Sequence, residues 1–253
     1  MRSFALVGEF TVFMADTARS STGFWRRRSL FVRQCERIGV SSSGILAVAA
    51  VFLGGVLGYE LYVGFSWFGA EELIGASVGV SLFRDLAAVM TGIMVTGRAA
   101  SAMAAEIASM RISEQIDALE VMAVDPLEYL VVPRVVAGAL MVPILGVFFG
   151  AVASLSAAGV TCGMLGLSYA TFWEQFTKYM DFIEVVHCLV KSCTFGLVLA
   201  SVGCFCGYRA RGGAAAVGAA AQTTVVVSLL GILLADYILT TLLPITTSTL
   251  KVT

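Results

Sequence analysis

The chain has 253 residues, of which 58% are hydrophobic and 13% charged, with a formal net charge of −1. Soluble domains carry about 25% charged residues, so this chain has too little charge to cover a water-facing surface of its size. With a mean hydropathy of +0.91 and a pI of ≈ 5.9, the composition selects a membrane protein and argues against a nucleic-acid partner.

The period-two alternation of an outer-membrane barrel, sustained over about ten residues, is absent. The 26 glycines and 4 prolines suit long helices packed closely through small residues. The class expected is therefore an all-α integral membrane protein. Its cysteines are Cys35, Cys162, Cys188, Cys193, Cys204 and Cys206. No pair has CxxC spacing, and Cys204 and Cys206 project to different sides of a helix. Neither a metal site nor a disulfide framework is expected.

Residues 1–39 differ from the rest of the chain. Leu6, Phe10, Phe13 and Met14 recur at helical spacing, with Glu9, Asp16 and Arg19 between them. This pattern is too broken by charge to cross a bilayer and carries no signal-peptide pattern; it predicts an amphipathic helix lying at the membrane surface. The run Phe24-Trp25-Arg26-Arg27-Arg28, followed by Arg33 and Arg37, suits the headgroup zone. The first span runs from Val40 to about Tyr59, and its Gly54 and Gly58 form a small-xxx-small pair for helix packing. An aromatic and acidic loop comes next, at Trp67 to Glu72. The second span covers about 73–96, interrupted only by Arg84 and Asp85.

Residues 97–134 are rich in charge. Ser113 to Met122 places Ile116, Leu119 and Met122 at three-residue intervals, with Glu114 and Asp117 on a neighbouring face. Asp125, Pro126 and Glu128 read as a helix start, with Asp as N-cap, Pro in the first turn and Glu completing a capping box. From the pattern alone, the short helix is either a solvated loop element or a docking element for a soluble motor. The third span covers about 135–160. A short loop carrying Trp173, Glu174, Lys178 and Asp181 leads to the fourth at 185–206, and the fifth runs over 221–243. Each is about 20 residues, the length that crosses roughly 30 Å of hydrocarbon. Arginines cluster before the first span, at 98–134 and at Arg209 and Arg211. The positive-inside rule then predicts a cytoplasmic N-terminus and a C-terminus on the opposite side.

The chain carries no phosphate-binding loop, dinucleotide fingerprint, HExxH or GxSxG motif. Uphill transport would draw its energy from another chain or an ion gradient.

The run GRAASAMAAEIASMRISEQIDALEVMAVDPLEYLVVPRVVAG, with VRQCERIGV, GGVLG, CLVKS and RGGAAAVGAAAQTTVV, resembles the MlaE (YrbE-type) permease family of ABC transporters, over about residues 30–243. The resemblance implies a permease domain over 40–253, a homodimer, and a cytoplasmic ATPase on each copy. It also implies an MCE-domain lipid-binding protein on the periplasmic side, a small STAS-type regulator on the ATPase, and a phospholipid-class cargo in a bacterial inner membrane. ATP and magnesium are expected only in the ATPase chain. It makes Glu114 to Met122 the coupling helix, with Glu114, Gln115, Asp117, Leu119, Glu120 and Met122 as the contact residues.

The resemblance also gives meaning to the charges within the spans. Arg84 and Asp85 fall where the family has an Arg-Glu pair, while Ala87-Ala88 replaces the Gly-Pro that usually comes shortly after, leaving a helix break there open. Lys191 matches the family's lysine and Asp236 its aspartate. Glu184, His187 and Lys191 share a helix face by their three-then-four spacing. Two readings stand for this set. One is a polar path for a lipid headgroup; the other is internal pairing, such as Arg84 with Asp236, or snorkelling of Lys191. His187 is expected to pack or hydrogen-bond rather than relay protons. An ion-coupled secondary transporter of an amphiphile, with Asp85, Glu184, His187 and Asp236 as relay groups, is the alternative function. A lipid-acting intramembrane enzyme is disfavoured because no nucleophile–base pair is evident.

Overall fold

Hydrocarbon offers no partner to a backbone N–H or C=O, so a chain this apolar satisfies its backbone within helices. The computed structural model describes residues 2–20 and 28–242. The basic run beginning at Phe24 and the tail from Leu243 onward lie outside them. All regular structure among the described residues is helical.

In chain order the helices are α1 (Arg2–Arg19), α2 (Arg28–Ile38), α3 (Val40–Ser66), α4 (Ile74–Ser81), α5 (Ala87–Val95), α6 (Ser101–Ile112), α7 (Gln115–Val121), α8 (Val132–Gly163), α9 (Tyr169–Tyr179), α10 (Phe182–Tyr208) and α11 (Ala214–Leu242). Three π-helical segments, Leu82–Leu86, Thr96–Ala100 and Leu127–Val131, bridge or lead into these helices without breaking them. Five stretches are long and apolar enough to cross a membrane: Ser29–Ser66, Glu71–Ile112, Leu127–Gly163, Phe182–Tyr208 and Ala214–Leu242.

The second stretch has 42 residues, or about 63 Å of helix, twice the roughly 30 Å hydrocarbon thickness. Its Ala-rich end therefore continues beyond the apolar zone. At Ala87-Ala88 the helix is continuous, and the irregularity falls three residues earlier as the π-segment holding Arg84 and Asp85. The segment expected to be a short loop around Trp173 is instead the amphipathic helix α9. Phe172 and Phe176 are buried while Glu174 and Lys178 face outward. Its apolar residues recur at i and i+4 over only 11 residues, too short to register beside the spans.

By internal contacts the chain forms two units. One comprises residues up to Ser42, Gly92–Val142 and Cys193–Leu234. Here α1 lays Phe10 and Phe13 edge-on against Phe205, with ring centroids 5.3 and 5.5 Å apart. Glu9 pairs with Arg209 at 3.2 Å. Glu106 of α6 holds two arginines, Arg37 of α2 at 2.8 Å and Arg134 of α8 at 3.0 Å. Arg134 is buried and also donates to the Leu130 carbonyl at 2.7 Å, inside a π-segment. Gly203 and Gly207 of α10 lie against the backbone of Ala100 and Ala104, small residues facing small residues at matching spacing.

The other unit comprises Ser43–Thr91, Pro143–Ser192 and residues from Ala235 on. Gly54 and Gly58 of α3 pack against Ala153 and Ala157 of α8. A Cβ at Gly54 would fall on the Ala153 carbonyl, and one at Gly58 would lie 3.0 Å from the Ala157 oxygen. In the same contact the Ser156 hydroxyl donates to the Val51 carbonyl at 2.6 Å. α4 packs on α9 in a like manner, with Gly75 against the Phe172 backbone and Gly79 against the Phe176 ring.

Gly54→Leu forces α3 and α8 apart, with an expected loss of about 1–3 kcal/mol. Thermal unfolding of the detergent-purified protein should show a clearly lowered midpoint. Gly64→Leu, where nothing lies within 4 Å of an added Cβ, should unfold like the parent. Equal midpoints for the two variants would refute the close-approach role of Gly54.

Candidate functional site

Of the charges singled out within the spans, Arg84, Asp85, Glu184, His187, Lys191 and Asp236 all lie in the second unit, in two neighbouring groups. Lys191 extends from α10 with only 3% of its side chain exposed. Its ammonium donates to Asp85 of the π-segment and to the Thr240 hydroxyl at 2.7 Å, and lies 3.0 Å from an oxygen of Asp236. Asp236 and Thr240 are one turn apart on α11, so both face the same way. Lys191 thus joins three chain segments, by two hydrogen bonds and one ion pair. It does not snorkel. Neither does Arg84 pair with Asp236: the lysine takes both carboxylates, and Arg84 has no ion-pair partner among the described residues.

One ammonium facing two carboxylates leaves a formal charge of −1, and Arg84 beside Asp85 in the chain is the residue that can offset it. The Asp85 side chain is 48% exposed and that of Asp236 21%. The network is therefore sealed at the lysine and open at Asp85. A π-segment adds a residue to the turn and re-aims the side chains within it, a device common at functional sites. Here it brings Asp85 onto Lys191.

One and two turns earlier on α10, His187 and Glu184 are both buried, with a carboxylate oxygen 3.7 Å from His187 Nδ1. That oxygen makes no hydrogen bond among the described residues. Glu184, His187 and Lys191 share a face as their spacing requires. Thr240 was missed in the sequence, although it stands four residues after Asp236 on a helix.

The second candidate region is α7, in the first unit. It spans Gln115–Val121, shorter at each end than the Glu114 to Met122 expected. Glu114 and Ala123, just outside it, both adopt left-handed conformations (φ 58° and 56°). After α7 the Ala123 N–H bonds to the Glu120 carbonyl and the Val124 N–H to the Leu119 carbonyl, both at 3.0 Å. This is the Schellman closure usually made with glycine at the left-handed position. Ile116 is fully buried and Leu119 partly so, which roots the helix. Val121 and Met122 are 88% and 63% exposed, and Glu114, Gln115 and Glu120 are exposed beside them. Asp117 is held by Arg111 at 2.6 Å, so it orients the helix rather than standing free. The next helix starts at Pro126, with Asp125 accepting the Leu127 N–H at 2.9 Å as the expected cap.

Lys191→Met removes the cation and leaves two carboxylates facing each other. The expected cost is about 3–5 kcal/mol, as for any buried ion pair that loses one partner. Adding Asp236→Asn should recover part of that loss, read as the unfolding midpoint in a double-mutant comparison. Strictly additive effects would mean that Lys191 and Asp236 do not interact.

Comparison with known proteins bears on both regions. The family model described as Permease MlaE matches residues 31–242. The chain is 36% identical over 236 residues to a probable ABC transporter permease protein of Rickettsia conorii, covering 93% of this chain and 91% of that one. It is 33% identical over 215 residues to the intermembrane phospholipid transport system permease protein MlaE of Haemophilus influenzae, covering 85% and 82%. The chloroplastic protein TRIGALACTOSYLDIACYLGLYCEROL 1 of Arabidopsis thaliana is also 33% identical over 215 residues, covering 85% of this chain and 61% of that one. The resemblance read from the central run is thereby met, and the chain belongs to the MlaE permease family of ABC transporter permeases.

Proposed function

We propose that this permease moves phospholipid-class lipids between a bacterial inner membrane and an MCE-domain protein on the periplasmic side, driven by a separate cytoplasmic ATPase. The observation that carries the reading is α7. It is a short helix rooted by Ile116, closed at both ends by left-handed residues, and tipped with exposed Val121 and Met122. An exposed apolar tip ringed by carboxylates needs a partner surface. In a chain without a nucleotide-binding motif, an ATPase is the partner that supplies energy.

The cargo assignment rests on the name of the Haemophilus relative and on the charges within the spans. Arg84 is the cation left over once Lys191 has taken both carboxylates, and it is the group placed to meet a lipid phosphate. Asp85, Lys191 and Asp236 hold the segment that carries it, while Glu184 and His187 continue the polar strip along α10. The lipid tails lie against apolar walls. The arginine distribution supports a cytoplasmic N-terminus, α7, Arg209 and Arg211, and a periplasmic C-terminus. Two copies, each with its own ATPase and a small regulator on that ATPase, complete the assembly that family membership supports.

Val121→Glu with Met122→Glu should reduce recovery of the ATPase with the affinity-purified permease by tenfold or more, with the permease itself still in the membrane. Arg84→Gln should leave ATPase recovery intact and lower lipid transfer to the periplasmic protein. Unchanged ATPase recovery in the first variant would overturn the docking role of α7. Unchanged transfer in the second would remove Arg84 from the lipid path.

A further inference from the structure

A groove of about 550 Å³ lies between α1 and the facing ends of α10 and α11. Its walls include Leu6 and Phe10 on one side and Phe205 on another, and its floor is formed by Ala219, Ala220 and Val227. Along α11 it extends from Ala216 to Val227, or about 16 Å at 1.5 Å per residue, a length suited to an acyl chain. Among the described residues, the only charged ones lining it are Arg209 and Arg211. Arg209 uses its Nε on Glu9 at 3.2 Å and stacks over the Phe205 ring at 6.0 Å. Arg211 is exposed and has no ion-pair partner among the described residues. Two guanidinium groups against one carboxylate leave a formal charge of +1 beside an apolar trough.

We infer that this groove holds one acyl chain of an anionic phospholipid whose phosphate rests on Arg211 and Arg209. Two of the three helices that form it, α10 and α11, belong to membrane-crossing stretches, so its contents come from the bilayer rather than from water. Basic pockets between membrane helices select anionic headgroups, at about fivefold in binding for each arginine near the surface. The groove lies in the first unit, whereas Arg84 and Lys191 lie in the second. In this reading the bound lipid is a resident of the permease, held under α1, and not the cargo.

The test is native mass spectrometry of the full-length protein purified in detergent, titrated in turn with phosphatidylglycerol, phosphatidylcholine and inorganic phosphate. Phosphatidylglycerol should be retained in preference to phosphatidylcholine, and Arg211→Gln should cut that preference about fivefold. Ala219→Phe, which fills the trough from an exposed position, should lower retention of both lipids. Inorganic phosphate should compete poorly. Three results would each overturn the inference. The first is equal retention of phosphatidylglycerol by the parent, Arg211→Gln and Ala219→Phe. The second is displacement of the lipid by phosphate at comparable concentration. The third is efficient cross-linking of two copies through Thr223→Cys, which would make the groove a chain-to-chain interface. Circular dichroism of each variant checks that the helices persist, so an unfolded variant is not counted as a loss of binding.

Discussion

The absence of water in the bilayer interior is the constraint on which the rest of this structure depends. The spans meet it with helix, which pairs backbone groups within the segment, and polar side chains follow the same rule. Thr161 and Thr224 donate back to carbonyls four residues earlier, as does Ser154. A hydroxyl that would be costly alone in hydrocarbon becomes a second partner for a carbonyl already bonded. The helices then associate with little hydrophobic drive between them, since lipid is as apolar as leucine. Close backbone approach replaces it, at Gly54 with Ala153 and at Gly196 with Gly138.

Ionisable groups obey the same constraint by a different route. Each unit contains one buried or half-buried ion shared between two opposite charges. Lys191 is shared by Asp85 and Asp236, and Glu106 by Arg37 and Arg134. Sharing ties three chain segments at once, which a simple pair cannot do. Such networks add little net stability over apolar packing, but they penalise any arrangement that leaves an ion alone. They therefore select one register of helices out of several that apolar packing would tolerate. The two networks are opposite in sign, −1 around Lys191 and +1 around Glu106. The residual charge around Lys191 has Arg84 as its neighbour in the chain.

The long apolar runs made the spans legible, because a run of about 20 residues is a stronger signal than any local propensity. The polar set was legible as a set: Arg84, Asp85, Lys191 and Asp236 stand out against their neighbours. Its pairing was not. Lys191 and Asp85 are 106 residues apart, and nothing local distinguishes a lysine that takes two carboxylates from an arginine that takes one. The π-segment that aims Asp85 depends on packing around it and leaves no motif. α9 was hidden for another reason. An 11-residue helix that buries Phe172 and Phe176 while exposing Glu174 and Lys178 has the composition of a loop and only the spacing of a helix. Glu106 was visible as one charge among many between 97 and 134, and only the fold shows that Arg37 and Arg134 converge on it.

That convergence bears on how a displacement of α7 would travel. The chain enters α7 from α6 and leaves it toward α8, through turns that place Glu114 and Ala123 in left-handed conformations. A non-glycine residue held there costs of order 1–3 kcal/mol, and such strain persists only where the surroundings over-determine it. Here Arg111 clamps Asp117 on one side and the Schellman bonds close the other. Relaxing the backbone at either turn would therefore break contacts rather than absorb movement. A push on Val121 and Met122 would thus reach α6 and α8 together. Glu106 lies on α6 and Arg134 at the start of α8, so the two helices receiving the push are already joined by an ion pair. The third member, Arg37, belongs to α2, which leads directly into α3 and the first span. Were a force to enter at this short helix, Glu106 would be the point where it is shared among three of the five membrane-crossing stretches.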